Sequence, residues 1–173
     1  MGQKAPFLIF METERLVLRS VLESDDKALY EYMSDPGVGV NAGWAPHKSL
    51  EETRGIMRAV FLNNPFVFAV VLKSTGSVIG TVGFTQNDGK NFIGYSLKKS
   101  FWGRGLMTEA VSKLLEFAKR RGITQVYADV YDYNMRSVKV LIKNGFIKVP
   151  NGEFEETRFD GAKIKTELYY KKL

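Results

Sequence analysis

Cysteine is absent from the 173 residues, which excludes disulfides and thiolate metal sites. A single histidine, His47, argues against a histidine-based metal centre, so no metal is expected. No stretch approaches the ~20 apolar residues of a membrane-spanning helix. The short apolar run at residues 7–11 lacks the longer core and small-residue cleavage site of a signal peptide. Gly2 is followed by Pro6, where a myristoylation motif needs Ser or Thr. Residues 1–10 therefore read as a strand extension or a leader, residues 11–173 as one domain, and the cytoplasm as the default compartment. Internal repeats, low-complexity tracts and linkers are also missing.

What is present is ordinary for a soluble globular chain: 45% hydrophobic and 25% charged residues, enough to bury a real core. Lys and Arg outnumber Asp and Glu by 25 to 19, giving a net charge of +6. That balance suits an anionic ligand and equally suits nucleic acid.

Alternation in "RLVLR" predicts a first strand at residues 15–19. Ser24 and two aspartates precede helical spacing of Ala28, Leu29, Tyr32 and Met33, and Pro36-Gly37 ends that helix. The segment "GVGVNAGWAPH", residues 37–47, reads as a loop, and Ser49-x-x-Glu52 predicts a capped helix running to about Leu62. Apolar runs at residues 66–72, 78–84 and 92–97, separated by Ser74-Thr75-Gly76-Ser77 and Asn87-Asp88-Gly89, predict an antiparallel meander. Met107, Ala110, Val111, Leu114, Leu115 and Ala118 then hold a helical stripe closed by Gly122. A strand at 126–131 completes a βαβ unit, so it should lie parallel to 92–97. A shorter helix at 135–143 and strands at 146–149 and 164–170 follow, with an Asp160-Gly161 turn before the last.

The segment "KKSFWGRGLMTEA" places Gly103 and Gly105 at the mouth of the long helix, with Arg104 between them. Unpaired helix N–H groups and a close-approaching glycine backbone attract phosphate; a tight turn without ligand is the other reading. Gly105 is followed by Leu106 and Met107, so the segment is not a P-loop. Thr108 replaces the third glycine of a dinucleotide fingerprint, and a single βαβ unit does not make a doubly wound sheet.

"METERLVLR", "IGYSLKKSFWGRGLMTEA" and "DYNMRSVKVLIKNGF", in this order and spacing, resemble the GNAT superfamily of acetyl-CoA-dependent N-acetyltransferases. The match is to the branch containing the ribosomal-protein N-terminal acetyltransferases, and it runs from Met11 nearly to the end. The resemblance implies a mixed α/β (α+β) fold: a largely antiparallel sheet flanked by helices, splayed at its parallel strand pair to form an acetyl-CoA cleft. It implies that Tyr95, Ser96 and Leu97 pair with the pantetheine arm through their backbones, the Leu97 N–H aimed at the thioester carbonyl. Trp102, Gly103, Arg104, Gly105, Leu106, Met107 and Thr108 would wrap the pyrophosphate. Asn134 would bond the pantetheine, Ser137 would lie near the sulfur, and Lys139 or Lys143 would reach the adenosine phosphate. Relatives are often dimers, so a homodimer is an open arrangement.

Two departures bear on chemistry. Leu141 stands where many members carry a tyrosine acid, and Phe92 stands where this branch often carries a glutamate base. Without a positioned carboxylate, an acceptor that loses its proton easily is favoured. A protein α-amine is roughly a tenth or more neutral at pH 7, a lysine side chain only about once in 2,500. Ser137 is then the candidate to hydrogen-bond the leaving thiolate, with Leu97 N–H as oxyanion donor. Each residue also has a structural reading: Asn134 as helix cap, Ser137 as a small helix residue, Phe101 and Trp102 as core cover, Arg104 as a solvated side chain. Trp44 and His47 fall in the loop expected to border the acceptor, where His47 is more ordinarily a local hydrogen-bonder. Asp129 is a candidate proton relay. The expected reaction is direct acetyl transfer to a primary amine, on a protein N-terminus or a small molecule, in a ternary complex. Loop 37–47 and the 150–163 segment would choose the acceptor. The alternative is a non-catalytic module of the same fold that senses acetyl-CoA or binds RNA.

Overall fold

Runs of β-branched and aromatic residues alternate with amphipathic segments along the chain, and each run becomes a strand. In the computed structural model, which describes residues 10–62 and 64–173, eight strands form one sheet in the order β1-β2-β3-β4-β5-β6-β8-β7. These are β1 (Phe10–Glu12), β2 (Leu16–Ser20), β3 (Val67–Leu72), β4 (Ser77–Asn87), β5 (Lys90–Leu97), β6 (Gln125–Tyr131), β7 (Ile147–Thr157) and β8 (Lys163–Lys172). The expected leader falls largely outside the described residues; only Phe10 of it belongs to β1.

Among the described residues five α-helices cover the sheet: α1 (Asp26–Met33), α2 (Pro36–Ala42), α3 (Leu50–Ile56), α4 (Leu106–Arg120) and α5 (Met135–Lys143). On one face α4 buries Leu106, Met107, Ala110, Val111, Leu114 and Leu115 against Phe68, Val82, Ile93 and Val126, with α5 alongside through Val138 and Leu141. Each fully buried aliphatic side chain there contributes about 1.5–3 kcal/mol. On the other face, Leu29, Tyr32 and Met33 of α1, Val38 of α2 and Met57 pack on Val67, Ala69 and Val71. The sheet thus separates two helical layers.

Two segments outside the expected strands and helices are largely regular structure. Residues 37–47 were expected to be a loop because of their glycines, yet α2 begins at residue 36. Asp35 accepts a hydrogen bond from the Gly37 N–H at 2.7 Å, Pro36 sits at the first helical position, and Gly43 ends the helix at φ 88°. The 150–163 segment is mostly strand. β7 runs through Pro150-Asn151-Gly152 by a bulge: the five-residue step from Lys148 to Glu153 opposes the two-residue step from Tyr169 to Glu167. An edge strand tolerates proline there because no neighbour needs its N–H. Ser49 caps α3 by accepting from the Glu52 N–H at 3.2 Å, but the Glu52 carboxylate reaches the Lys48 N–H at 2.6 Å instead of closing a capping box. A π-helical turn, Met57–Phe61, carries that helix to its expected end.

Candidate active site

The parallel strands β5 and β6 pair at a single register position, Phe92 opposite Tyr127, and then diverge. Further along β5 the antiparallel ladder with β4 fixes which peptides face the opening. The Lys98 N–H donates to the Ile79 carbonyl at 2.8 Å, and alternation makes Ser96–Thr81 the next hydrogen-bonded pair. The peptide groups of Tyr95 and Leu97 therefore turn away from β4 and toward the gap. Ser96 differs from the expectation: its backbone belongs to the β4 ladder. Its buried hydroxyl lies 3.1 Å from Thr81 Oγ1, which in turn lies 3.1 Å from Tyr32 Oη.

A cleft of about 1180 Å³ opens from this gap to both faces of the sheet. Its α4/α5 side is bounded by the glycine turn. Gly103 and Gly105 take φ of 75° and 77°, which bends the chain sharply into α4. Among the described residues, no amide of residues 103–108 donates to a protein acceptor. The turn is held from behind. Arg15 donates from Nη1 to the Arg104 carbonyl at 3.0 Å and from Nε to Glu109 at 2.7 Å, while the Arg15 N–H and Thr13 hydroxyl also donate to Glu109. Burial works to raise the Glu109 pKa, but these hydrogen bonds and the Arg15 charge outweigh it and hold the carboxyl below its ordinary value. Trp102 Nε1 donates to the Leu97 carbonyl at 2.7 Å, with the Arg136 guanidinium 4.9 Å from its ring, so Trp102 both covers the core and staples the end of β5. Arg104 is exposed, over the Phe101 ring at 5.3 Å.

The start of α5 forms the opposite wall. Asn134 Oδ1 accepts from the Ser137 N–H at 3.2 Å, the cap geometry, and Asn134 Nδ2 donates to the Asn41 carbonyl at 3.0 Å. Tyr133 donates to the Val40 carbonyl at 2.8 Å, so the end of α2 is tied to this loop at two points. The Ser137 hydroxyl lies 2.7 Å from Tyr95 Oη across the gap. Lys139 and Lys143 line the same side.

At the α1–α3 side the lining includes Trp44 and His47, together with Asp129, Tyr131 and Glu156. His47 is buried, its N–H donating to the Met33 carbonyl and its Nδ1 lying 2.8 Å from Thr53 Oγ1. Burial, opposed by the charge of Glu52, lowers its pKa, so the imidazole is neutral at pH 7. Asp129 opens to the cleft yet is flanked closely enough by protein that burial, and then the charge of Glu156, raise its pKa. Glu156 accepts a hydrogen bond from the buried Thr166 hydroxyl at 2.5 Å.

A family profile described as an acetyltransferase (GNAT) domain matches residues 15–147. The chain belongs to the GNAT acetyltransferase family. A relative 32% identical over 144 residues, the uncharacterized N-acetyltransferase p20 of Bacillus licheniformis, aligns over 79% of this chain and 81% of its own. A GNAT-family acetyltransferase from Bacillus anthracis shares the fold at a TM-score of 0.82 and 22% identity, covering 95% of this chain and 98% of its own. The ribosomal-protein-S5-alanine acetyltransferase from Vibrio fischeri is 27% identical, with a TM-score of 0.75 over 95% and 96% of the two chains. The protein is accordingly an N-acetyltransferase of this family.

Within this GNAT domain, Leu141 is wholly buried and Phe92 packs on Tyr127 at 5.6 Å, so neither supplies an acid or base. Glu156 was not legible as a site residue, because Pro150-Asn151-Gly152 signals a loop where β7 continues. The Arg15–Glu109 anchor spans 94 residues and leaves no local pattern. A hint existed in Glu109, an acid in the first turn of α4. Among the described residues no group of His, Asp and Glu could hold a metal, and no helix is long and apolar enough to cross a membrane.

Proposed function

We propose that the chain transfers an acetyl group from acetyl-CoA to a primary amine by direct attack in a ternary complex. The observation that carries this reading is the run of unpartnered amides at 103–108 opening onto the same cleft as the Leu97 N–H. The coenzyme supplies a thioester whose carbonyl accepts the amine and whose thiolate departs. The turn amides, at the positive end of α4, suit a diphosphate, and Lys139 and Lys143 suit a further phosphate. The Leu97 N–H donates to the carbonyl oxygen as it gains charge, an interaction worth about 2.7–4 kcal/mol in such sites. Asp129 and Glu156 make the acceptor end acidic, which draws an ammonium group and takes its proton. The new bond joins the amine nitrogen to the acetyl carbon and the carbon–sulfur bond breaks; of the two protons the ammonium loses, the first passes to the carboxylate side and the second leaves with the coenzyme as its free thiol.

The acceptor is a protein N-terminus or a small-molecule amine. These carboxylates relax the earlier preference for a weakly basic acceptor, since a lysine-like amine finds a base as well. The cytoplasm is the compartment that fits an acetyl-CoA-dependent reaction. The test is thiol release from acetyl-CoA against a panel of free-N-terminus peptides, polyamines and amino acids. Release that needs both chain and amine is expected. Acetyl-CoA binding with no release on any amine overturns the enzyme in favour of a sensor. Salt-sensitive RNA binding indifferent to CoA overturns it in favour of a nucleic-acid module.

A further inference from the structure

We infer that Tyr95 is a positioning residue for the acetyl transfer, holding the Ser137 hydroxyl as a hydrogen-bond donor to the departing thiolate. The inference rests on the acetyltransferase reading of this cleft and adds a role to a side chain from the opposite wall. Phe92 is the last β5 residue paired with β6, and Tyr95 lies three residues beyond it, at the foot of the gap. Its hydroxyl crosses to α5, 2.7 Å from Ser137 Oγ and 3.2 Å from the Ser137 carbonyl oxygen.

A serine near a helix start commonly turns its proton back onto a carbonyl of the preceding turn. Ser137 forms no such bond among the described residues; its Oγ meets Tyr95 instead. Its N–H is already taken by Asn134, so the hydroxyl is not needed for the cap. A phenol has one proton, which leaves two arrangements. In one, Tyr95 donates to the Ser137 carbonyl and receives the serine proton. In the other, Tyr95 donates to Ser137 Oγ and frees the serine proton for the cleft. The second follows the shorter contact and uses the more acidic hydroxyl as donor. Negative charge growing on sulfur selects it, because hydrogen bonds to ions are the stronger ones. Burial, eased by the bond to Ser137, pushes the Tyr95 phenol far above its ordinary pKa, so it keeps its proton.

Arg136, Lys139 and Lys143 also line this side of the cleft, and they stay the same in every variant below. The test binds CoA to the full chain and titrates its thiol by the ultraviolet absorbance of the thiolate. Wild type, Tyr95→Phe, Ser137→Ala and the double variant are compared. A hydrogen bond to a charged group corresponds to roughly one to two pKa units. The bound thiol should therefore titrate about that much lower in wild type than in all three variants. Turnover should follow: kcat falls about tenfold or more in each single variant. It falls no further in the double, and KM for acetyl-CoA is unchanged. Tyr95→Phe keeps the ring, and Ser137→Ala carries the same expectation from the other wall should the first variant misfold. Equal thiol pKa in all proteins that bind CoA overturns the pair alone, as do additive losses in the double. Failure of wild type to bind CoA overturns the acetyltransferase reading with it.

Discussion

Asp129 stands in a position that favours chemistry over stability. The folded chain raises its pKa, through burial and then the charge of Glu156, so the folded state binds this proton more tightly than the unfolded state does. The ionised group therefore opposes folding, and that opposition is relieved as pH falls through the folded pKa. Asp129→Asn should therefore raise the melting temperature at pH 7. It should also lower kcat/KM by about 10²-fold, the range for a lost general base. The acidic limb of the pH–rate profile should lie above the ordinary Asp range in wild type and be lost or displaced in the variant. Because Asp129 and Glu156 interact, that limb reports the pair. A variant that melts lower with its profile unchanged would remove Asp129 from the proton path.

At the scale of elements, the glycine turn depends on a support that lies far away in sequence. Glu109 in the first turn of α4 collects hydrogen bonds from Thr13 and Arg15, and Arg15 also grips the Arg104 carbonyl. Glu109→Ala should release the turn from β2. The expected result is a several-fold higher KM for acetyl-CoA, kcat within about twofold, and a stability loss of about 1–2 kcal/mol by denaturant titration. Glu109 has a lowered folded pKa, so its stabilisation is present above the unfolded carboxyl value and is lost as pH falls through the folded one. The difference between wild type and variant should thus vanish in acid; a difference that persists there would assign the loss to packing. Elements with a local signal were legible: the α4 stripe, the hairpin at Gly76, the turn at Asp160-Gly161. Gly37, Gly39 and Gly43 hid α2, since glycine disfavours a helix interior and only the Asp35–Pro36 start and tertiary packing override it. The turn at 102–108 was legible from its glycines and its resemblance to a family. The Tyr95–Ser137 contact, 42 residues apart, was not.

For the molecule as a whole, the sheet works as a partition with an opening between β5 and β6. α4 and α5 lie on one side and α1 to α3 on the other, and the cleft crosses between β5 and β6. In the proposed reaction two ligands approaching from opposite faces would meet at the gap where the Leu97 peptide is turned inward. The proposed reaction has no need of an acetylated protein intermediate, because the amine would reach the thioester while both are bound. Initial-rate lines at several fixed acetyl-CoA concentrations should intersect when plotted in double-reciprocal form. Chain incubated with labelled acetyl-CoA and no amine should carry no covalent label. Parallel lines together with label on the protein would instead place a nucleophile between the two halves of the reaction, and Ser137, the hydroxyl held at the gap, would be the first to map. Binding order has a thermal signature too. Acetyl-CoA alone should raise the melting temperature, by the equivalent of about 2.7 kcal/mol at a hundred times its Kd. The stabilisation should weaken with added salt, since the +6 chain meets an anionic ligand at an exposed turn.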